Sequence, residues 1–131
     1  MISQLTVFLE NEKGRLAAAC RAVSDAGINM HALNLADTSD FGVVRMLTDT
    51  PEAAAEALRE QGYRATVTPV LAVRVPNVPG GLAKLLEFMD EQDANVEYGY
   101  CFSVNEDYAV DVLKADGSDD LEQKLTDAGF E

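Results

Sequence analysis

Histidine occurs once, cysteine twice and basic residues ten times in this chain of 131 residues, and each scarcity removes a class of function. His31 has no serine, cysteine or carboxylate set placed around it by a recognisable motif, so a hydrolytic triad is not supported. It reads as a partly exposed histidine on a predicted second strand, close to Asn29. Cys20 and Cys101 are widely separated, lie in apolar surroundings and form no Cys-x-x-Cys. Free buried thiols are expected there, not a disulfide or a metal pair. The ten Lys and Arg face 23 Asp and Glu, a net charge of −13, which repels nucleic-acid backbones and anionic membranes. Met1-Ile2-Ser3-Gln4-Leu5 shows neither a basic leader nor a long apolar run, so no signal peptide or membrane span is expected and the expected location is cytoplasmic. No catalytic residue, metal ligand or cofactor is expected.

What the chain does have is aliphatic residues throughout; 47% of it is hydrophobic, enough for a packed core along its whole length. Its length suits one domain or two modules of about 65 residues each. Self-similarity decides between them. A shift of 66 residues lays Asn11 on Asn77, Gly14 on Gly80, Leu16 on Leu82 and Asn29 on Asn95, and carries Val44 and Met46 onto Val110 and Val112. An extra residue before the last helix then moves the offset to 67, matching Leu58 to Leu125 and Gly62 to Gly129. Modules over 1–69 and 70–131 follow, the second with a truncated final strand.

Leu5, Val7 and Leu9 alternate with outward residues, as on a strand buried on one face, and Leu71, Val73 and Val75 repeat the pattern. Leu16, Cys20 and Val23, then Leu82, Leu85, Leu86 and Met89, recur at helical spacing. Gly27 ends the first helix. Strands over 28–35 and 41–47 follow, joined by a polar turn at Asp37-Thr38-Ser39-Asp40, and Thr50-Pro51 opens a second helix that Gly62 stops. The run from Tyr63 to Thr68 makes a fourth strand that leads past Pro69 into the second copy, unless the whole of 63–75 serves both modules. The order βαββαβ defines an α+β fold, a ferredoxin-like module duplicated in tandem, with antiparallel sheets and helices on one face. The bare face needs cover, and a homodimer is expected to supply it.

Two turns carry chemical content, Asn11-Glu12-Lys13-Gly14-Arg15-Leu16 and Asn77-Val78-Pro79-Gly80-Gly81-Leu82, both Asn-x-x-Gly-x-Leu between a strand and a helix start. A helix N-terminus has unpaired N–H groups and the positive end of a dipole, and so holds a small carboxylate. Glycine admits the ligand to the backbone, while asparagine offers both a donor and an acceptor to a zwitterion. The competing account gives these residues to turn geometry alone. Asn29 and Asn95 open the second strands, where asparagine is unusual, and Tyr98 and Tyr100 share one strand face beside Asn95.

The βαββαβ order, the Asn-x-x-Gly turns, Gly27-Ile28-Asn29 and the duplication together resemble the ACT domain, as a stand-alone tandem protein. The resemblance implies a non-catalytic regulatory protein that binds a free amino acid or similar carboxylate between modules. It implies one pocket from Asn11, Gly14, Arg15 and Leu16 with Asn95 and Val96, and another from Asn77, Gly80, Gly81 and Leu82 with Asn29 and Met30. Lys13 stands where proline often precedes the turn glycine, whereas the second copy keeps Pro79, so the two pockets need not be equivalent. The alternative is a ligand-free regulatory or structural subunit that binds an enzyme of amino-acid metabolism through its exposed sheet face.

Overall fold

A computed structural model describes residues 1–10, 12–37, 41–116 and 120–130, with backbone alone at 37 and 41. The elements follow in the order β1 (Ile2–Glu10), α1 (Arg15–Asp25), β2 (Met30–Asp37), β3 (Phe41–Thr48), α2 (Pro51–Glu60), β4 (Arg64–Pro76), α3 (Gly81–Glu91), β5 (Asn95–Ser103), β6 (Tyr108–Asp116) and α4 (Leu121–Asp127). They form two compact units, Ser3–Thr68 and Pro69–Glu131, the latter joined by Met1 and Ile2. The expected turn at 37–40 and the link from Asp116 to α4 fall mainly outside the described residues.

In the unit Ser3–Thr68 the strands run β2-β3-β1-β4, the order expected when each βαβ crossover returns to the same sheet. β3 pairs antiparallel with β1, placing Val7 opposite Val44 and Leu5 opposite Met46. These four side chains face α1 and α2 and are buried with Ala19, Val23 and Leu58. Pro51 is the first residue of α2, as its fixed φ and missing N–H allow. On the other sheet face Gln4 and Thr6 are buried too, and the Gln4 amide donates to Thr6 Oγ1 at 3.1 Å, which meets their need for partners away from water.

The second unit runs β4-β6-β5, with Leu71, Val73, Val75 and Leu113 packed beneath Leu85 and Met89 of α3 and Leu121 and Leu125 of α4. β4 is one strand of 13 residues with no break at Pro69, so the run from 64 to 76 serves both copies. Met1 belongs with this unit, its ammonium paired with Glu122 of α4.

The register corrects the repeat. Val7 faces Val44, but Val73 faces Asp111 and Leu71 faces Leu113. Val44 and Met46 therefore correspond to Asp111 and Leu113, not to Val110 and Val112. The extra residue lies in the β5–β6 hairpin, where four residues (104–107) stand against three (38–40) between β2 and β3. Hydrophobic similarity along β6 hid the slip, because Val110, Val112 and Leu113 are apolar on both faces. The helical stripe is also narrower than expected: Leu85 and Met89 are buried, whereas Leu82 and Leu86 are exposed toward the β5 edge.

Candidate functional site

Both helices that follow the Asn-x-x-Gly turns begin the same way. Gly14 and Gly80 occupy the cap positions of α1 and α3 with φ of 89°, and among the described residues no side chain caps either helix. A residue with a Cβ is strained at that φ, yet a Cβ at either glycine would meet nothing within 4 Å. Glycine is needed there for backbone conformation and leaves open space before the helix start. Gly81 is constrained differently, since its Cβ would come within 2.3 Å of the Pro76 carbonyl oxygen; only glycine lets α3 lie this close to the end of β4.

The first turns of α1 and α3 contain no acidic residue, whereas α2 and α4 carry Glu52 and Glu122 there. In the latter pair the chain itself supplies a negative charge to the positive end of the helix dipole; in the former it does not. Arg15, first in α1, is exposed and bridges Glu10 at 3.3 Å and Glu12 at 3.6 Å. Leu16 is half-buried behind it, and Leu82 is exposed. The Asn77 backbone N–H donates to the Asp107 carbonyl at 3.0 Å and its side chain to the Asn105 carbonyl at 3.2 Å, so this asparagine braces its turn against the β5–β6 hairpin. Asn11 lies outside the described residues.

Asn29 is exposed and precedes β2, and Met30, half-buried, is the first residue of that strand. Asn95 opens β5 opposite Asp116, with Val96 beside it opposite Ala115. His31 sits at a strand irregularity in β2, exposed, with its Nε2 on Asp49 Oδ1. Cys20 is half-buried, and burial pushes its thiol above the usual range; Cys101 is exposed on β5, which corrects the expectation of two buried thiols. Both are free. Among the described residues no three His, Cys, Asp or Glu side chains group as metal ligands, and no helix is long and apolar enough to cross a membrane.

One cleft was not expected from sequence. About 700 Å³ of space in the first unit is lined by Phe8, Glu10, Arg15, Gln61, Tyr63 and Arg64, among others. It adjoins the helix start through Arg15 and sets the Arg64 guanidinium 5.8 Å from the Phe8 ring centre. Of its lining, Arg15 belongs to the turn whose sequence suggested a binding role.

A duplicated βαββαβ module with glycine-capped helix starts defines a class of paired ferredoxin-like domains. The family described as "ACT domain pair" matches residues 1–126, and this chain belongs to it; ACT domains are regulatory modules. Protein BT0572 from Bacteroides thetaiotaomicron is 33% identical with a TM-score of 0.92, over 98% of this chain and 89% of that one. The regulatory subunit of aspartate kinase from Thermus thermophilus, in a ligand-free form, is 18% identical with a TM-score of 0.72, over 95% and 88%. The corresponding subunit from Thermus flavus is 18% identical with a TM-score of 0.68, over 95% and 88%. At that identity the two share a fold with this chain. No curated protein matches it.

Proposed function

We propose that this chain is a non-catalytic, cytoplasmic regulatory protein that binds a free amino acid or similar small carboxylate at its Asn-x-x-Gly turns. One observation carries the reading: α1 and α3, which follow those turns, start at a left-handed glycine with no acidic residue in the first turn, while α2 and α4 carry their own glutamate. A ligand carboxylate would take the place of that missing charge. In this reading Gly14, Arg15 and Leu16 would hold one ligand, with Asn11 contributing from the same sequence motif, and Gly80, Gly81 and Leu82, with Asn77, the other. Asn29, Met30, Asn95 and Val96 would receive the rest of the ligand, the side-chain carbonyl oxygens of Asn29 and Asn95 accepting from its ammonium group. Membership of the ACT family and the aspartate kinase regulatory subunits among its structural neighbours support the regulatory part.

Melting temperature measured against the common free amino acids tests this, because a ligand that binds only the folded state raises it. At least one amino acid should do so at millimolar concentration, and a flat response to all of them would sink the reading. Alanine at Asn11 or Asn95 should weaken one site, and alanine at Asn77 or Asn29 the other. Equal losses from all four would contradict that assignment.

A second reading has its own support. Asn77 already spends its amide on Asn105, and Arg15 is already held by two carboxylates. Such turns also suit a ligand-free subunit that docks on an enzyme through its exposed sheet face, and the same melting screen separates the two.

A further inference from the structure

The second unit carries a carboxylate where the first carries a valine. Asp111 of β6 occupies the place of Val44, on the sheet face that α3 covers. It is 2% exposed. Its Oδ2 has no hydrogen-bond partner among the described residues, while the Cys101 thiol, directly opposite on β5, bonds to the same carboxyl group. Buried polar atoms are seldom left unpaired, and an orphan of this kind marks a place where something else is accommodated. A cavity of about 260 Å³ opens onto Asp111, walled by Leu82 and Leu86 of α3, Val96 of β5 and Leu113 of β6. Its space depends on Gly99, where a Cβ would come within 2.6 Å of the Leu113 side chain.

The lining selects the occupant. It is aliphatic except for one carboxylate, the Cys101 thiol and Tyr100, and it presents no cation to an anionic ligand. A hard divalent ion asks for six or more oxygen ligands, and no metal-binding group of three residues forms among the described residues. A guanidinium is matched best by both carboxylate oxygens together, but here the thiol engages one of the two. A single free oxygen at the end of an apolar slot fits the point charge of an ammonium. The volume lies below the roughly 300–1,000 Å³ of drug-sized pockets, so the molecule is small. We propose that this cavity binds a small primary organic ammonium, with its charged head on Asp111 Oδ2 and its aliphatic body against Leu82, Leu86 and Val96. The cavity shares Leu82 and Val96 with the amino-acid reading above but rests on a different charge, since the Asn-x-x-Gly turns attract a carboxylate and Asp111 attracts a cation.

Titration of the full chain with 3-methylbutylammonium, followed by amide correlation NMR, tests the proposal, with 3-methylbutan-1-ol as the neutral isostere. Saturable shifts are expected at the amides of Gly99, Cys101 and Asp111 with the amine. Binding should weaken by about tenfold or more for the alcohol, as befits loss of a charge-assisted hydrogen bond, and by as much for the amine in Asp111→Asn and Asp111→Val. Valine is the residue that the first copy holds at this place, so Asp111→Val provides a folded control, checked by its own spectrum. Equal shifts from amine and alcohol, shifts that survive Asp111→Val, or no saturable shift at all would overturn the proposal. So would shifts that follow protein concentration instead of amine, because the groove would then be an interface between copies of the chain.

Discussion

Asp111 is the residue most at odds with its surroundings. Burial pushes its carboxyl above the ordinary carboxylate range, and the Cys101 thiol offsets this only in part. A raised value means that the folded state binds the proton more readily than the unfolded one. The charge therefore costs nothing below the unfolded value near 3.9, and its full cost is present once pH exceeds the folded value. Asp111→Val should raise stability at neutral pH by about 1–3 kcal/mol, the usual cost of a buried polar group without a partner. Urea denaturation should show the difference from the parent shrinking as pH falls toward 4. An unchanged difference at both pH values would mean that packing, and not ionisation, is responsible. Burial also separates Leu85 from Leu82 on the same helix, the first fully buried and the second exposed. Leu85→Ala should cost about 2–5 kcal/mol, and Leu82→Ala about 0.5 kcal/mol at most.

At the scale of elements, α1, α2, α3 and α4 close alike. The N–H groups of Ile28, Tyr63, Ala94 and Phe130 each donate to the carbonyl five residues back, on Val23, Leu58, Met89 and Leu125. The residue just before each donor takes positive φ, and it is glycine at 27, 62 and 129 but Asp93 after α3. A residue with a Cβ is disfavoured in that conformation, which is why glycine dominates there. Asp93→Gly should stabilise the protein by about 1 kcal/mol, seen as a higher denaturation midpoint at unchanged slope. The strands, helices and glycine stops were legible because each is a local signal. The shift of one residue in β6 was not, because a strand with apolar residues on both faces does not declare which face is inward.

For the whole molecule, the strand order makes β2 the outer strand of one unit and β5 the outer strand of the other. Such strands present unpaired backbone groups that proteins usually cover or protect. β2 also exposes Leu33 and Leu35. A homodimer that covers these edges is the expected solution species, and sedimentation equilibrium at micromolar concentration should find twice the chain mass. Leu35→Lys should shift that equilibrium toward monomer. A strictly monomeric parent would leave the edges exposed and contradict the expectation.

By itself the sequence determined the duplicated βαββαβ order, the family and the two glycine turns. Each rests on short-range periodicity or on a motif that occurs twice, and neither needs knowledge of distant neighbours. Only the tertiary structure decided that Asp111 stands where Val44 does, that α3 leaves Leu82 and Leu86 at the mouth of a cavity, and that Tyr63 and Arg64 line a cleft with Arg15. Those facts depend on strand register and on which helix covers which strand, and both are set by long-range packing between residues far apart in the chain.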